Sequence, residues 1–264
     1  HLHAEGVRDA ASLHAIARYR RGESRLTLGV VYPFSSHHLH LLQWLRAAGI
    51  RPEEDVRIAV VPPAQMFRNL QAGTIDGFCS GEPWNSIAVR ADVGWCPTWS
   101  AAQSPGHVEK VLMVTESFAA GRSGEHAQLV GAVAEAAEWC DDPGNREELA
   151  TMLGAAPYLN LPARVITPAL LGQFDCGHGR LENVPDFVVF HRDGANVPSS
   201  EKAAQLQDEL RAAGILPSDV PPELPRRLFR EDLYRAALNP HHTYETVSHS
   251  ALRGVVPQSD RCLT

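Results

Sequence analysis

The stretch VRIAVVPPAQMFRNLQAGTIDGFCSGEPWN, Val56–Asn85, decides the fold. It opens on a short apolar run, Val56–Val61, halted by Pro62 and Pro63, which cannot donate to a strand ladder. A short helix over Ala64–Ala72 follows and ends at Gly73, IDGFCSG reads as a second strand, and Pro83 opens another helix. The same grammar extends upstream. RLTLGVV, Arg25–Val31, is an apolar strand bounded by turn residues, and His38–Ala48 carries helical periodicity closed by Gly49. Strand and helix alternating over so short a span predict a parallel α/β sheet with crossover helices, whose ligands sit at the carboxyl ends of the strands.

The remainder bounds the reading. With 264 residues, 44% of them hydrophobic, the chain can form one large domain or two ordinary ones. Twenty-four basic against 31 acidic residues give a net charge of -7, which disfavours direct nucleic-acid binding through phosphate neutralisation. No apolar run approaches the ~20 residues of a membrane-spanning helix. Five cysteines without a Cys-x-x-Cys pair make neither a disulfide framework nor a zinc or redox motif. The chain starts at His1 and shows no secretory leader pattern, so an upstream portion is expected and the compartment stays open. His1–Ser24 reads as an amphipathic connecting helix. Glu109–Thr115, EKVLMVT, reads as another strand, and helices dominate from His126 onward, through NREELATMLG, ARVITPALLG, SEKAAQLQDELRAAG and REDLYRAAL. The tail over 239–264 is polar, aperiodic and expected to be loose.

Candidate chemistry gathers where strands run into helices. Ser35, Ser36 and His37 stand at such a junction, where unpaired backbone N–H groups and partial positive charge suit an anion; a capped helix with a partly exposed histidine explains the same residues. A metal reading needs His37, His38 and His40 to converge. His37 and His40 share a helix face while His38 diverges, and no carboxylate or thiolate lies nearby, so no metal or cofactor is expected. In GFCSGEPWN, Gly81 lets a backbone approach a ligand and Trp84 can wall a pocket, or the run is a tight turn with a core tryptophan; Glu82 is either a helix-start charge or a pocket residue. Cys79 reads as a small buried hydrophobe, and no catalytic partnership is visible. Lys110 is a candidate anion partner or a solvated lysine. QFDCGHGR, Gln173–Arg180, is a turn or a weak Cys176–His178 metal pair.

Several pieces together resemble one family. YPFSSHHLHLLQWLRAAGI, the VPP-x-QM to GFC-x-GEPWN run, EKVLMV and EAAEWCDDPGNREELA look like the nitrate- and bicarbonate-binding proteins of ABC importers and the related cytoplasmic nitrate/nitrite sensors. The resemblance runs from about Arg25 to Leu238. It implies a type II periplasmic-binding-protein-like α/β fold, with one complete lobe plus the mainly helical C-terminal part of the other. Residues 25–104 would form the second lobe, and 105–238 would return to complete the first, whose early part, with a tryptophan and a glutamine of the cleft, would precede His1. By position the family's anion contacts fall on His37, Gly81 and Lys110, with Ser36 where a threonine is usual. The tryptophan expected near Ala203–Ala204 is missing.

The implied function is binding without chemistry. A planar oxyanion, nitrate or nitrite ahead of bicarbonate, would be held by Ser36, His37, Gly81, Glu82, Trp84 and Lys110 and passed to an ABC permease. The alternative is a sensor that holds an RNA-binding antiterminator protein. A cofactor-precursor enzyme on the same fold is the least supported.

Overall fold

Three parallel strands, β1 (Leu26–Val30), β2 (Val56–Val60) and β3 (Gly77–Cys79), form the sheet in the order β2-β1-β3. The computed structural model that shows this describes residues 2–20, 22, 25–217 and 219–239. Leu26 to Val30 run opposite Val56 to Val60, and Leu28 to Val30 opposite Gly77 to Cys79. Because β1 is central, the loops that leave β1 and β3 emerge side by side at the carboxyl edge.

Helices cover both faces. On one, Leu13 and Ala17 of α1 (Ala10–Tyr19) and Leu41 and Leu45 of α2 (Ser36–Ala47) pack with Leu26, Leu28 and Val30. On the other, after the short α3 (Pro52–Asp55), Met66 of α4 (Pro63–Gln71) packs with Val61 and Ile75. The close fit explains Gly29: a Cβ there would lie 3.1 Å from both Ile75 Cδ1 and Met66 Sδ. α5 (Trp84–Arg90) follows β3, and α6 (Ser100–Gln103) ends this half.

The first helix is shorter than the His1–Ser24 reading. Asp9 accepts from Ser12 N at 2.8 Å while Ser12 Oγ accepts from Asp9 N at 3.0 Å, a reciprocal cap that starts the helix at Ala10. α2 begins two residues before His38 because Ser35 Oγ accepts from His38 N at 3.2 Å. The larger correction concerns Glu109–Thr115, which belongs to no helix or sheet among the described residues. Val111, Leu112 and Met113 are 61%, 46% and 85% exposed. An apolar run becomes a strand only where a neighbour takes its N–H and C=O groups, and none stands beside this one.

Beyond it come α7 (Glu116–Gly121), α8 (Ser123–Asp141), α9 (Arg146–Gly154) and α10 (Ala163–Leu170). Gln173–Asp175 (β4) and Leu181–Asn183 (β5) then form an antiparallel hairpin. Its strands are too short to show periodicity, so only the turn between them was legible. In that turn Cys176 is buried, while His178 stacks on His3 with ring centroids 3.4 Å apart. α11 (Ser200–Ala212), α12 (Leu224–Leu228) and α13 (Glu231–Ala237) complete the described chain, and the polar tail over 240–264 lies outside the described residues.

Two contacts organise this half. Asp141 accepts from Arg146 at 2.7 Å, Arg192 at 2.5 Å and the backbone N–H of Arg192 at 2.7 Å, clasping α8 to the segment after the hairpin. Ala213, Leu206 and Leu210 pack on Leu39 and Leu42, and Arg46 donates to Ala212 O at 2.9 Å, which ties α11 to α2. No described helix is long and apolar enough to cross a membrane.

Candidate functional site

The carboxyl edge of the sheet brings the β1–α2 and β3–α5 loops together. A Cβ placed on Gly81 would lie 3.5 Å from His37 Nε2, so the glycine backbone and the imidazole share one wall of a cleft. Glu82, Lys110, Glu109, His107 and His40 also line that cleft. It opens into a hollow of about 2700 Å³ reaching the apolar faces of α8 and the hairpin. Ordinary ligand pockets measure roughly 300–1,000 Å³, so the hollow as a whole is far larger than a small ligand needs.

His37 stands in the first turn of α2, and its Nδ1 is buried with no hydrogen-bond partner among the described residues. Burial holds its pKa below the ordinary value; Lys110 and His107 push the same way, and Glu109 opposes them. The ring is thus biased to the neutral form, and the nitrogen it turns toward Gly81 is Nε2, not the buried Nδ1.

The other expected residues divide. Ser36 Oγ donates to Glu109 Oε2 at 2.7 Å, which spends the hydroxyl proton on a carboxylate and joins α2 to the segment bearing Lys110. Lys110 itself is 80% exposed and ion-paired with Glu109. Glu82 Oε2 accepts from Ser86 N at 3.2 Å, the helix-start role, and burial raises its pKa against that bond. Trp84 is half-buried at the start of α5 and does not line the cleft. Cys79 is inert, its thiol pushed up to about 12 by burial and by Glu109.

Sequence reasoning missed Glu109, His107 and His40 as neighbours. Burial pushes the Glu109 carboxyl up, yet Lys110 and Ser36 hold it below the usual range. The rings of His40 and His107 meet edge to face with centroids 4.2 Å apart. Only the pair Glu109–Lys110 in EKVLMV signalled that this segment reaches the site; nothing in spacing links His107 to His40.

Residues 1–154 match the profile of the NMT1-like family. The nitrate/nitrite binding protein NrtA of Synechococcus elongatus is 33% identical over 92% of this chain and 56% of its own length. The bicarbonate transport ATP-binding protein CmpC of the same species is 38% identical over 82% of this chain and 31% of its own. This chain's two lysines, Lys110 and Lys202, both follow glutamate, so it contains no Gly-Lys-Ser/Thr phosphate loop. The crystal structure of the periplasmic nitrate-binding protein NrtA from Synechocystis PCC 6803 superposes with a TM-score of 0.81 at 27% identity, covering 87% of this chain and 60% of that one. The fold is accordingly of the type II periplasmic-binding-protein kind. The chain spans from about a third to a little over half the length of these curated relatives.

Proposed function

Because the chain belongs to the NMT1-like family, we propose that it carries the anion-contacting lobe of the substrate-binding component of an ABC importer, with nitrate or nitrite as the favoured ligand and bicarbonate as the alternative. The observation that carries the reading is His37 at a helix start, its Nε2 3.5 Å from where a Cβ on Gly81 would lie, so that ring and glycine backbone flank one corner of the cleft. The relatives named above, one binding nitrate and nitrite and one serving bicarbonate transport, agree with a small planar oxyanion and favour the importer over the antiterminator-controlling sensor.

In this reading the anion lies across the start of α2. It accepts from the His37 ring and from the free N–H groups of the first helical turn, whose partial positive charge offsets its own. Gly81 admits it without a Cβ in the way. Lys110 turns from Glu109 to the anion, and Ser36 reorients with it. Glu82 stays on its helix start as a wall and not as a contact, since a carboxylate facing the anion would repel it, and Trp84 supports α5 from behind. The overall charge of -7 does not oppose this, because the local field of the cleft decides.

Residues 25–104 act as one lobe and 105–238 as the return that completes the other, with the hollow between them as the interlobe space. Closure across it shifts the population toward the state a permease recognises. No bond is made or broken, so no catalytic residue is assigned.

The test is the protein's tryptophan fluorescence, read as nitrate, nitrite and bicarbonate are added in turn, since Trp95 and Trp99 line the hollow. One anion is expected to saturate the signal, and His37→Ala to weaken it at least about tenfold, the loss of one charge-assisted hydrogen bond of about 1.5–3 kcal/mol. Equal affinity in wild type and His37→Ala would remove His37 from the site.

A further inference from the structure

His40, His107 and Glu109 each offer a ligand atom, and these atoms lie within 4.8 Å of one another. His107 Nδ1 is 3.9 Å from Glu109 Oε2. Ligands around a tetrahedral zinc, at about 2.0–2.1 Å from the metal, are separated by about 3.3 Å, so small side-chain rotations close the gap. The residues come from two elements: α2 carries His40, and the segment after α6 carries His107 and Glu109.

One ring nitrogen of each histidine already has a side-chain partner. His40 Nδ1 meets Gln43 Oε1 at 3.3 Å, and a carboxamide oxygen only accepts, so the ring proton sits on Nδ1 and Nε2 keeps its lone pair. His107 Nε2 meets Ser100 Oγ at 3.0 Å, and that hydroxyl can accept from it and leave Nδ1 for a metal. The remaining contact of Nδ1, with Val108 O, is long at 3.4 Å and is the one a metal bond would replace. Metal-ligating histidines typically carry such a partner on the second nitrogen. His40 is 4% exposed and fixed by packing. Glu109 supplies the negative charge, and around the cluster stand Ser36, His37 and Lys110, of which Lys110 would yield its ion pair.

We propose that His40, His107 and Glu109 form a site for a divalent transition metal of the zinc class, with two imidazoles, one carboxylate and an open fourth position. Imidazole and carboxylate donors that side-chain rotations can bring to tetrahedral spacing suit Zn²⁺ and its spectroscopic substitute Co²⁺, and the bound ion would cross-link the sheet half of the chain to the segment leading into the other half. The inference does not depend on which anion binds near His37.

The purified chain, stripped with EDTA and free of nitrate, would be titrated with Co²⁺ and followed by visible absorption, then with Zn²⁺ in competition. One Co²⁺ per chain, displaced by Zn²⁺, is expected. His107→Ala and Glu109→Gln should each weaken binding at least tenfold, and Gln43→Leu about 10–100-fold as the loss of an orienting partner. His126→Ala, outside the cluster, should leave binding unchanged. Because His40 is buried and the His107 side chain is only 13% exposed, circular dichroism of each variant separates loss of a ligand from loss of the fold, and Glu109, with 42% of its side chain exposed, carries the decision. Failure of Co²⁺ to bind, or binding that His107→Ala and Glu109→Gln leave within twofold, overturns the site.

Discussion

The sheet-bearing half of the chain and the half that follows Ser104 draw on similar apolar residues and bury them to different degrees. In the first, Leu26, Leu45, Ile50, Val56 and Met66 are almost wholly enclosed between the sheet and its helices. In the second, Val111, Leu112, Met113, Leu129 and Val133 are exposed, and the larger side chains are sheltered mainly around the hairpin, where Phe174 and Cys176 meet Trp99 and Phe187. A sheet offers two flat faces and so gives every flanking helix a place to bury its stripe; helices without one leave apolar surface facing the hollow. The second half therefore leans on polar fastening, the Asp141 clasp above all.

That contrast can be broken experimentally, starting with the largest effect. Asp141→Ala should cost about 3–5 kcal/mol, since it leaves the buried Arg146 without its carboxylate, strands three backbone N–H groups and takes one of two carboxylate partners from Arg192, and urea denaturation at neutral pH measures it. The clasp should also be acid-sensitive. Burial pushes the Asp141 carboxyl up, but the N–H groups of Arg192, His191 and Phe190 and the charge of Arg192 hold it below the ordinary value. A carboxylate depressed in the folded state stabilises above its unfolded value of about 3.9, and that stability is lost as pH falls through the folded value. Asp141→Ala should remove this part of the acid dependence.

Next, Leu45→Ala in the closed core should cost about 2–5 kcal/mol through lost burial and a residual cavity. Smallest, Met113→Ser in the exposed run should change stability by no more than about 0.5 kcal/mol. A loss above 1 kcal/mol at Met113 would show that the run is covered in solution, and the contrast between the halves would be smaller than the structure indicates.

Much of the first half was legible in the chain. The prolines after Val61, the glycines after α2 and α4 and the apolar runs between them mark local backbone events, so β1, β2, β3 and their helices emerge near their observed places. The start of α2 was misplaced by two residues and that of α1 by nine, because Ser35 and Asp9 accept from N–H groups that lie inside the helix they start and so set its first residue. The EKVLMVT reading failed for a different reason. Its pattern fits a strand, but a strand is a property of a pair, and only the structure shows whether the second member is there.

The site shows the same division. His37 and Gly81 were legible because each closes a strand-to-helix junction, and adjacent parallel strands deliver such junctions to one edge. The identities of Ser36 and Lys110 were legible as well, but not their shared engagement with Glu109, which follows from how the segment after α6 passes over α2. By itself the sequence determined local conformation, the alternation that makes a parallel sheet and the absence of a bulk positive surface, since these depend on neighbouring residues and on sums. Only the tertiary structure decided that His40 meets His107 and Glu109, that Asp141 clasps two arginines and that Val111–Val114 lacks a ladder. Those outcomes depend on distances between residues far apart in the chain, which packing sets and periodicity does not encode.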